Sequence, residues 1–152
     1  MYKRILVPID GSEPATRGLA EAIKLAQNQG AAIRLLHIVN EMILVSADTY
    51  GTNVASVLDI LRTGGELLLK EAEASARRAG VDVDAKLIET IGAPAGAEIV
   101  QQAVIWPADL IVCGTHGRRG VRRIVMGSDA EFVIRHTPVP VLVLRGLAPA
   151  GE

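Results

Sequence analysis

The sequence has few of the features that mark several large protein classes. Its single cysteine, Cys113, cannot form an internal disulfide, so we expect a reducing compartment, the cytoplasm. The cysteine and the three histidines are too dispersed for a zinc site. No apolar run approaches the ~18 residues that span a bilayer. The run at residues 5–9 is too short for a signal sequence. These absences argue against secreted disulfide-rich, membrane-spanning and zinc-binding proteins.

The chain also lacks a strong net charge and is not disordered in composition. Its formal net charge is −1, so no overall field attracts nucleic acid or a membrane surface. Hydrophobic residues make up 49% of the 152 residues, which is typical of a globular chain. This length fits one domain, which we expect to span residues 1–152. The part from Gly114 onward is nevertheless basic, with six arginines against three acidic residues.

Strand-like and helix-like segments alternate along the chain. Short apolar or β-type runs predict strands at residues 4–9, 32–39, 81–89, 108–113 and 139–145. Helical spacing of apolar residues predicts helices at residues 15–29, 54–79, 95–104 and 128–136. Two adjacent glycines, Gly64 and Gly65, predict a kink or break in the second helix, because each costs about 1 kcal/mol against alanine. This alternation is typical of an α/β protein with a parallel sheet.

Two strands have features of sheet edges. The third alternates apolar and polar residues, which indicates partial exposure to water. The fifth contains Pro140, which has no N–H to donate to a neighbouring strand. Right-handed crossovers then favour a doubly wound, five-stranded parallel sheet in the order 3-2-1-4-5, with helices on both faces. In this order Asp10 and Gly114 follow adjacent strands at a topological switch point, where such folds bind ligands.

The segment from Gly114 to Ser128 is the densest cluster of unusual residues. It holds four glycines and four arginines between a predicted strand and a predicted helix. Glycine permits close approach of the backbone, and the first N–H groups of a helix favour an anion. The segment therefore predicts a phosphate-binding loop. Two other interpretations stay open: a solvated, arginine-bearing loop, and a capping box in which Ser128 and Glu131 satisfy the helix N–H groups themselves. Asp10, likewise, can cap the first helix.

Other nucleotide-binding and phosphotransfer folds lack support in the residues. The turn after the first strand, Asp10-Gly11-Ser12, has no Gly-x-Gly-x-x-Gly dinucleotide signature, and no Walker motif occurs. A phosphotransfer receiver domain needs carboxylates at several strand ends, and only Asp10 is suitable. Cys113 and His37 lie in predicted buried strands, so we interpret both as packing residues rather than as a nucleophile or a base.

The pattern Gly114-x-x-Gly117, nine residues, Gly127-Ser128 resembles the nucleotide-binding motif of the universal stress protein family. Val7-Pro8-Ile9-Asp10-Gly11-Ser12 is similar to the first strand and turn of that family, and the closing helix and strand match as well. The resemblance implies a Rossmann-like, adenine nucleotide alpha hydrolase-like fold. It also implies the ATP-binding kind of family member, which retains this glycine motif.

The resemblance further implies a set of site residues and partners. Asp10 meets the ribose with Ile9 beside it, and Ile38 lines the adenine pocket chiefly through its backbone. The residues expected at the phosphates are Gly114, Gly117, Arg118, Gly127 and Ser128. The implied ligand is ATP, with AMP or ADP as alternatives, and Mg²⁺ accompanies it through the phosphates. The strand from Val139 to Leu144 is the expected homodimer contact.

The function that follows is regulatory nucleotide binding without a catalytic residue or a protein-held metal. Two alternatives remain: a slow ATPase that uses Asp10 or Asp129, and a dimeric interaction module that binds no nucleotide.

Overall fold

A computed structural model describes residues 1–42, 53–115 and 126–146. Five strands and four helices alternate within those ranges. The strands are β1 (Arg4–Pro8), β2 (Ala32–Asn40), β3 (Val83–Thr90), β4 (Leu110–Gly114) and β5 (Val141–Leu144). The helices are α1 (Glu13–Gln29), α2 (Val54–Arg78), α3 (Ala95–Ile105) and α4 (Ser128–His136). None of the helices in these ranges combines the length and apolarity that crossing a bilayer requires.

The strands form one parallel sheet in the order β3-β2-β1-β4-β5, which confirms the predicted topology. The two predicted edge strands are the observed edges. Pro140 lies just before β5, and its carbonyl accepts a hydrogen bond from the Ile111 amide at 3.0 Å. The alternation in β3 is weaker than predicted, because Ala85 is exposed and Leu87 only half-buried. An edge strand is only partly covered by helices, so its burial follows the sequence pattern loosely.

The helices pack on both faces of the sheet and form two cores. On one face, α1 and α2 cover Ile5 and Val7 with side chains such as Leu19 and Leu69. On the other face, α3 and α4 cover Leu6 and Leu36 with Ile99 and Val133. Each fully buried Leu, Ile or Val contributes roughly 1.5–3 kcal/mol. Consecutive residues of β1 thus point into different cores, which is why the buried strands are apolar without alternation.

Helix α1 begins and ends with residues that satisfy its terminal backbone groups. The Ser12 hydroxyl accepts from the Ala15 amide at 3.3 Å, and Pro14 lies in the first turn. Gly30 ends the helix in the left-handed region, with φ 65°. The sequence predicts a glycine at this helix end, because a residue with a Cβ is strained in the left-handed region.

Helix α2 contradicts the predicted break at Gly64-Gly65. It runs without interruption over 25 residues from Val54 to Arg78. Gly65 is buried against the sheet, and a Cβ there would lie 2.4 Å from Cδ2 of His37. The glycine therefore provides space for a side chain beneath the helix. Packing against the sheet outweighs the cost of two glycines in the helix interior.

Candidate functional site

The carboxyl ends of β1 and β4 meet at the centre of the sheet. These strands are neighbours, with Ile5 opposite Leu110 and Leu6 opposite Ile111. From β1 the chain enters α1 on one face, and beyond β4 it reaches α4 on the other face. Strand order reverses here, and in folds of this kind the two diverging connections form the ligand-binding crevice above the strand ends at such a point. The described candidate site residues therefore converge on the end of the sheet predicted from the sequence.

The turn after β1 is ordered by the Asp10 side chain. Its carboxylate accepts a hydrogen bond from the Ser12 amide at 2.9 Å. Between them, Gly11 adopts φ 81°, which strains any residue with a Cβ. Ser12, rather than Asp10, is the N-cap of α1. The capping interpretation of Asp10 is therefore wrong, and its carboxylate instead shapes the turn at the switch point.

Gly114, the last residue of β4, packs against the first turn of α1. A Cβ on this residue would lie 2.7 Å from Cβ of Pro14, 2.8 Å from the Pro14 carbonyl carbon and 2.9 Å from the Ala15 nitrogen. The end of β4 thus touches the first turn of α1 directly. Gly114 is one of the residues predicted to contact the phosphates, and its contacts show that it also packs the end of β4 against α1.

Thr115 and Gly127 mark the base of the glycine-rich segment. The Gly127 amide donates to the Thr115 carbonyl at 2.6 Å, and the Thr115 amide donates to the Leu144 carbonyl at 2.8 Å. Both ends of the segment are thereby fixed beside β4 and β5. The role of Thr115 could not be predicted from its position in the sequence, because that role depends on backbone pairing across the sheet. Gly117 and Arg118, two of the predicted phosphate residues, lie outside the described residues.

The first turn of α4 does not form the predicted capping box. Gly127 is the N-cap, and Ser128 is already the first helical residue. As a glycine, the N-cap has no side chain that could bond to this turn. A serine one position inside the helix cannot fold back as an N-cap serine does. The first N–H groups of α4 therefore receive no hydrogen bond from an N-cap side chain, and N–H groups at a helix start favour an anion.

The two acidic residues in the first turn of α4 have partners elsewhere. Asp129 accepts from the Gly96 amide at 2.9 Å, so it caps the start of α3. Glu131 pairs with Arg135 at 2.9 Å, one turn further along α4. A Cβ on Gly96 would lie 2.8 Å from Cβ of Phe132, which shows how closely the two helices pack. Asp129 keeps its negative charge but is directed at the start of α3, and the charge of Glu131 is offset by Arg135.

Ile38 lies near the end of β2 with its backbone polar groups on the β1 side. Backbone direction alternates along a strand. The Ile33 amide donates to Asp82 before β3, whereas the Leu36 carbonyl accepts from the Ile9 amide at 2.8 Å beside β1. Ile38 shares the direction of Leu36, but β1 ends at Pro8. The Ile38 N–H and C=O thus face the crevice above β1.

Cys113 is a packing residue at the end of β4. The thiol is buried in the core that α3 and α4 cover, and burial raises the pKa of Cys113 to about 11. At pH 8 the thiol is therefore protonated, and it ionises only as the pH approaches 11.

This burial predicts low chemical reactivity. We expect folded protein at pH 8 to react with iodoacetamide about two orders of magnitude more slowly than free cysteine, whose pKa is ≈ 8.5. The rate should rise steeply with pH, and denatured protein should react at the rate of the free thiol. Mass spectrometry after timed quenching measures this difference. Rapid, complete alkylation of folded protein at pH 8 would show that the thiol is accessible and ionised.

No group of three histidine, cysteine, aspartate or glutamate side chains in the described ranges is arranged to hold a metal ion.

Comparisons with known proteins cover nearly the whole chain. The model of the universal stress protein family matches residues 1–145. A universal stress protein of Methanocaldococcus jannaschii is 34% identical over 145 residues, which cover 95% of this chain and 83% of that protein. A putative universal stress protein of Staphylococcus haemolyticus is also 34% identical over 145 residues, covering 95% and 85%. These relatives are named as stress proteins, not as enzymes.

Solved structures share the fold. A universal stress protein family member from Burkholderia pseudomallei has a TM-score of 0.77 at 31% identity, covering 94% of this chain and 96% of that chain. Two more distant structures, each 24% identical, show a universal stress protein in complex with cAMP (TM-score 0.65) and the Archaeoglobus fulgidus protein in complex with dAMP (TM-score 0.67). The first covers 95% of this chain and 97% of its own, and the second 94% and 98%.

Proposed function

This chain belongs to the universal stress protein family, and we propose that it binds ATP at the crevice between the ends of β1 and β4. Binding is regulatory, and the chain acts as a nucleotide-responsive protein of the stress response rather than as an enzyme. The fold that it shares with the cAMP and dAMP complexes accommodates adenine nucleotides, which agrees with the proposal. AMP and ADP are alternative ligands of the same site.

The observation that carries the proposal is that α4 begins after a glycine N-cap. The N-cap, Gly127, has no side chain to bond to the first turn, and its amide bonds to Thr115 at the end of β4, beside the switch point. A helix of nine residues with such a start is a favourable anion site. The glycine motif that precedes it has the family spacing. Together these features favour a phosphate-binding loop over a loop with a purely structural role.

The proposed roles of the residues follow their positions. The Asp10 carboxylate accepts hydrogen bonds from the ribose hydroxyls, beside Ile9, and the Ile38 backbone meets the adenine. Gly117 and Ser128 offer backbone N–H groups to the phosphates, and Arg118 adds a charge-assisted hydrogen bond. Gly127 has its own amide bonded to the Thr115 carbonyl, and its lack of a side chain lets a phosphate approach the start of α4. Gly114 also contacts the phosphates, and its packing against Pro14 keeps the end of β4 next to α1. Mg²⁺ binds through the phosphates and neutralises part of their charge.

The proposal includes a homodimer through the strand from Val139 to Leu144. β5 is an edge strand, and its four residues are only half-buried within one chain. A second copy that pairs along this edge would cover them and satisfy the exposed backbone groups. A slow ATPase has less support, because Asp129, one of its two candidate bases, is held by the Gly96 amide.

A change at the glycine motif tests the proposal. We expect Gly117→Asp to lower ATP affinity at least about 100-fold, because a side chain and a like charge would enter the phosphate site. Isothermal titration calorimetry measures the affinity, and circular dichroism confirms the fold. Gly120→Asp adds the same charge to the same segment outside the motif, so it should cost less than about fivefold. Equal affinities of Gly117→Asp and the unmodified protein would refute this placement of the site.

A further inference from the structure

His37 is a buried histidine between β2, the end of β1 and helix α2. Only 7% of it is exposed. Its Nδ1 lies 2.8 Å from the Ile9 carbonyl oxygen. A carbonyl oxygen only accepts, so Nδ1 carries the hydrogen and donates it. The packing interpretation of this residue is confirmed, but the bond gives it a specific target: the last backbone group before Asp10.

Gly65 provides the space for the imidazole ring. A Cβ at this position would lie 2.4 Å from Cδ2 and 2.9 Å from Nε2 of His37. A Cβ on the adjacent Gly64 would meet nothing within 4 Å. The ring therefore occupies the volume that any other residue at position 65 would fill. The glycine and the histidine form one arrangement that holds Nδ1 against Ile9.

The hydrogen bond from His37 to the Ile9 carbonyl occupies the position of the next backbone bond in the ladder between β1 and β2. The ladder between β1 and β2 ends with the bond from the Ile9 amide to the Leu36 carbonyl. In a regular parallel ladder the next bond would run from the Ile38 amide to the Ile9 carbonyl. Among the described residues that backbone bond is not made, and the His37 side chain donates to the carbonyl instead.

We infer that His37 is a positioning residue that takes the Ile9 carbonyl out of the ladder and so leaves the Ile38 N–H and C=O open to the base of a bound nucleotide. The contact between Ile38 and the base rests on the proposed function. The replacement of the backbone bond by the His37 bond does not. An adjacent donor and acceptor on one residue match the acceptor N1 and the donor N6 of adenine. Hypoxanthine presents the opposite pattern, a donor at N1 and an acceptor at position 6. The arrangement thus selects adenine through unpaired polar groups that the wrong base cannot satisfy.

Two substitutions separate this role from simple packing. His37→Leu keeps most of the buried volume and removes the donor. His37→Asn loses volume but places an amide N–H close to the position of Nδ1. If His37 were only a packing residue, the leucine variant would be the milder of the two. We expect the reverse order for base selectivity: His37→Leu should lose most of the preference for adenine, and His37→Asn should retain it.

The first measurement is hydrogen exchange at the Ile38 amide in the nucleotide-free protein, followed by NMR. We expect this amide to exchange rapidly in the unmodified protein, and at least about tenfold more slowly in His37→Leu, where the Ile9 carbonyl becomes its partner. Gly65→Ala displaces the ring and should also slow the exchange, whereas Gly64→Ala should not. An Ile38 amide that is equally protected in the unmodified protein and in His37→Leu would overturn the inference.

The second measurement compares the affinities of ATP and inosine triphosphate by calorimetry. The unmodified protein and His37→Asn should prefer ATP at least about tenfold, and His37→Leu should lose that preference while retaining the phosphate contribution. Full selectivity in folded His37→Leu would refute the inference while the nucleotide site itself stands. Failure of the unmodified protein to bind either nucleotide would refute the proposed function, and the exchange measurement would still decide the role of His37.

Discussion

Replacing Gly114 by alanine is expected to lower the free energy of unfolding by about 1–3 kcal/mol, as overpacking does, and to weaken ATP binding as well. The added Cβ would approach three atoms of Pro14 and Ala15 to within 3.0 Å, and two of these are backbone atoms. A flexible side chain could move aside, but the first turn of α1 would have to shift as a unit. The shift would displace the adjacent turn that Asp10 orders.

Gly18→Ala provides the matched control at the same contact between α1 and β4. A Cβ at Gly18 would make ordinary contacts of 3.7–3.9 Å with the backbone of Cys113 and Gly114. Because Gly18 is inside α1, alanine should stabilise the protein by up to about 1 kcal/mol through helix propensity. Denaturant unfolding with calorimetry of ATP binding measures both effects. Equal stabilities for the two variants would show that Gly114 is not a packing glycine.

Replacing Gly65 by alanine is expected to destabilise the protein by about 1–3 kcal/mol despite the higher helix propensity of alanine. The Cβ would overlap the His37 ring, which is enclosed by the sheet and bound to Ile9. The ring could leave only by breaking a buried hydrogen bond. This cost exceeds the propensity gain of about 1 kcal/mol.

Gly64→Ala is the control one residue away. Its Cβ would enter open space, so alanine should raise the free energy of unfolding by up to about 1 kcal/mol. Thermal and denaturant unfolding of both variants, compared with the unmodified protein, measures the difference. The two substitutions should change the free energy of unfolding in opposite directions. Stabilisation by both substitutions would mean that His37 does not fill the space beneath α2.

The strand order was predictable because it depends on local features. Pro140 marks one edge by lacking a donor, and the mixed polarity of residues 81–89 marks the other, so only the apolar runs remain for the centre. Right-handed crossovers then leave few arrangements. The strand limits were less predictable: β5 begins at Val141 rather than Val139, since Pro140 cannot donate to the ladder.

The errors arose where a long-range contact decides a local feature. Gly64-Gly65 has the composition of a helix break, but a side chain from β2 explains Gly65. Ser128 to Glu131 has the composition of a capping box, but Ser128 lies inside the helix after the Gly127 N-cap, and the adjacent Asp129 caps α3 through Gly96, 33 residues away. Neither partner can be identified from spacing alone. Asp10 and Gly114 were predictable as neighbours because the topology itself brings strand ends together.

The most direct test of the central claim is to denature natively purified protein, assay the supernatant for adenine nucleotide by chromatography, and titrate nucleotide-free protein with ATP by calorimetry. We predict that adenine nucleotide is released or that ATP binds with one site per chain, and that Gly117→Asp shows neither. Absence of released nucleotide, together with no binding heat at millimolar ATP, would contradict the account.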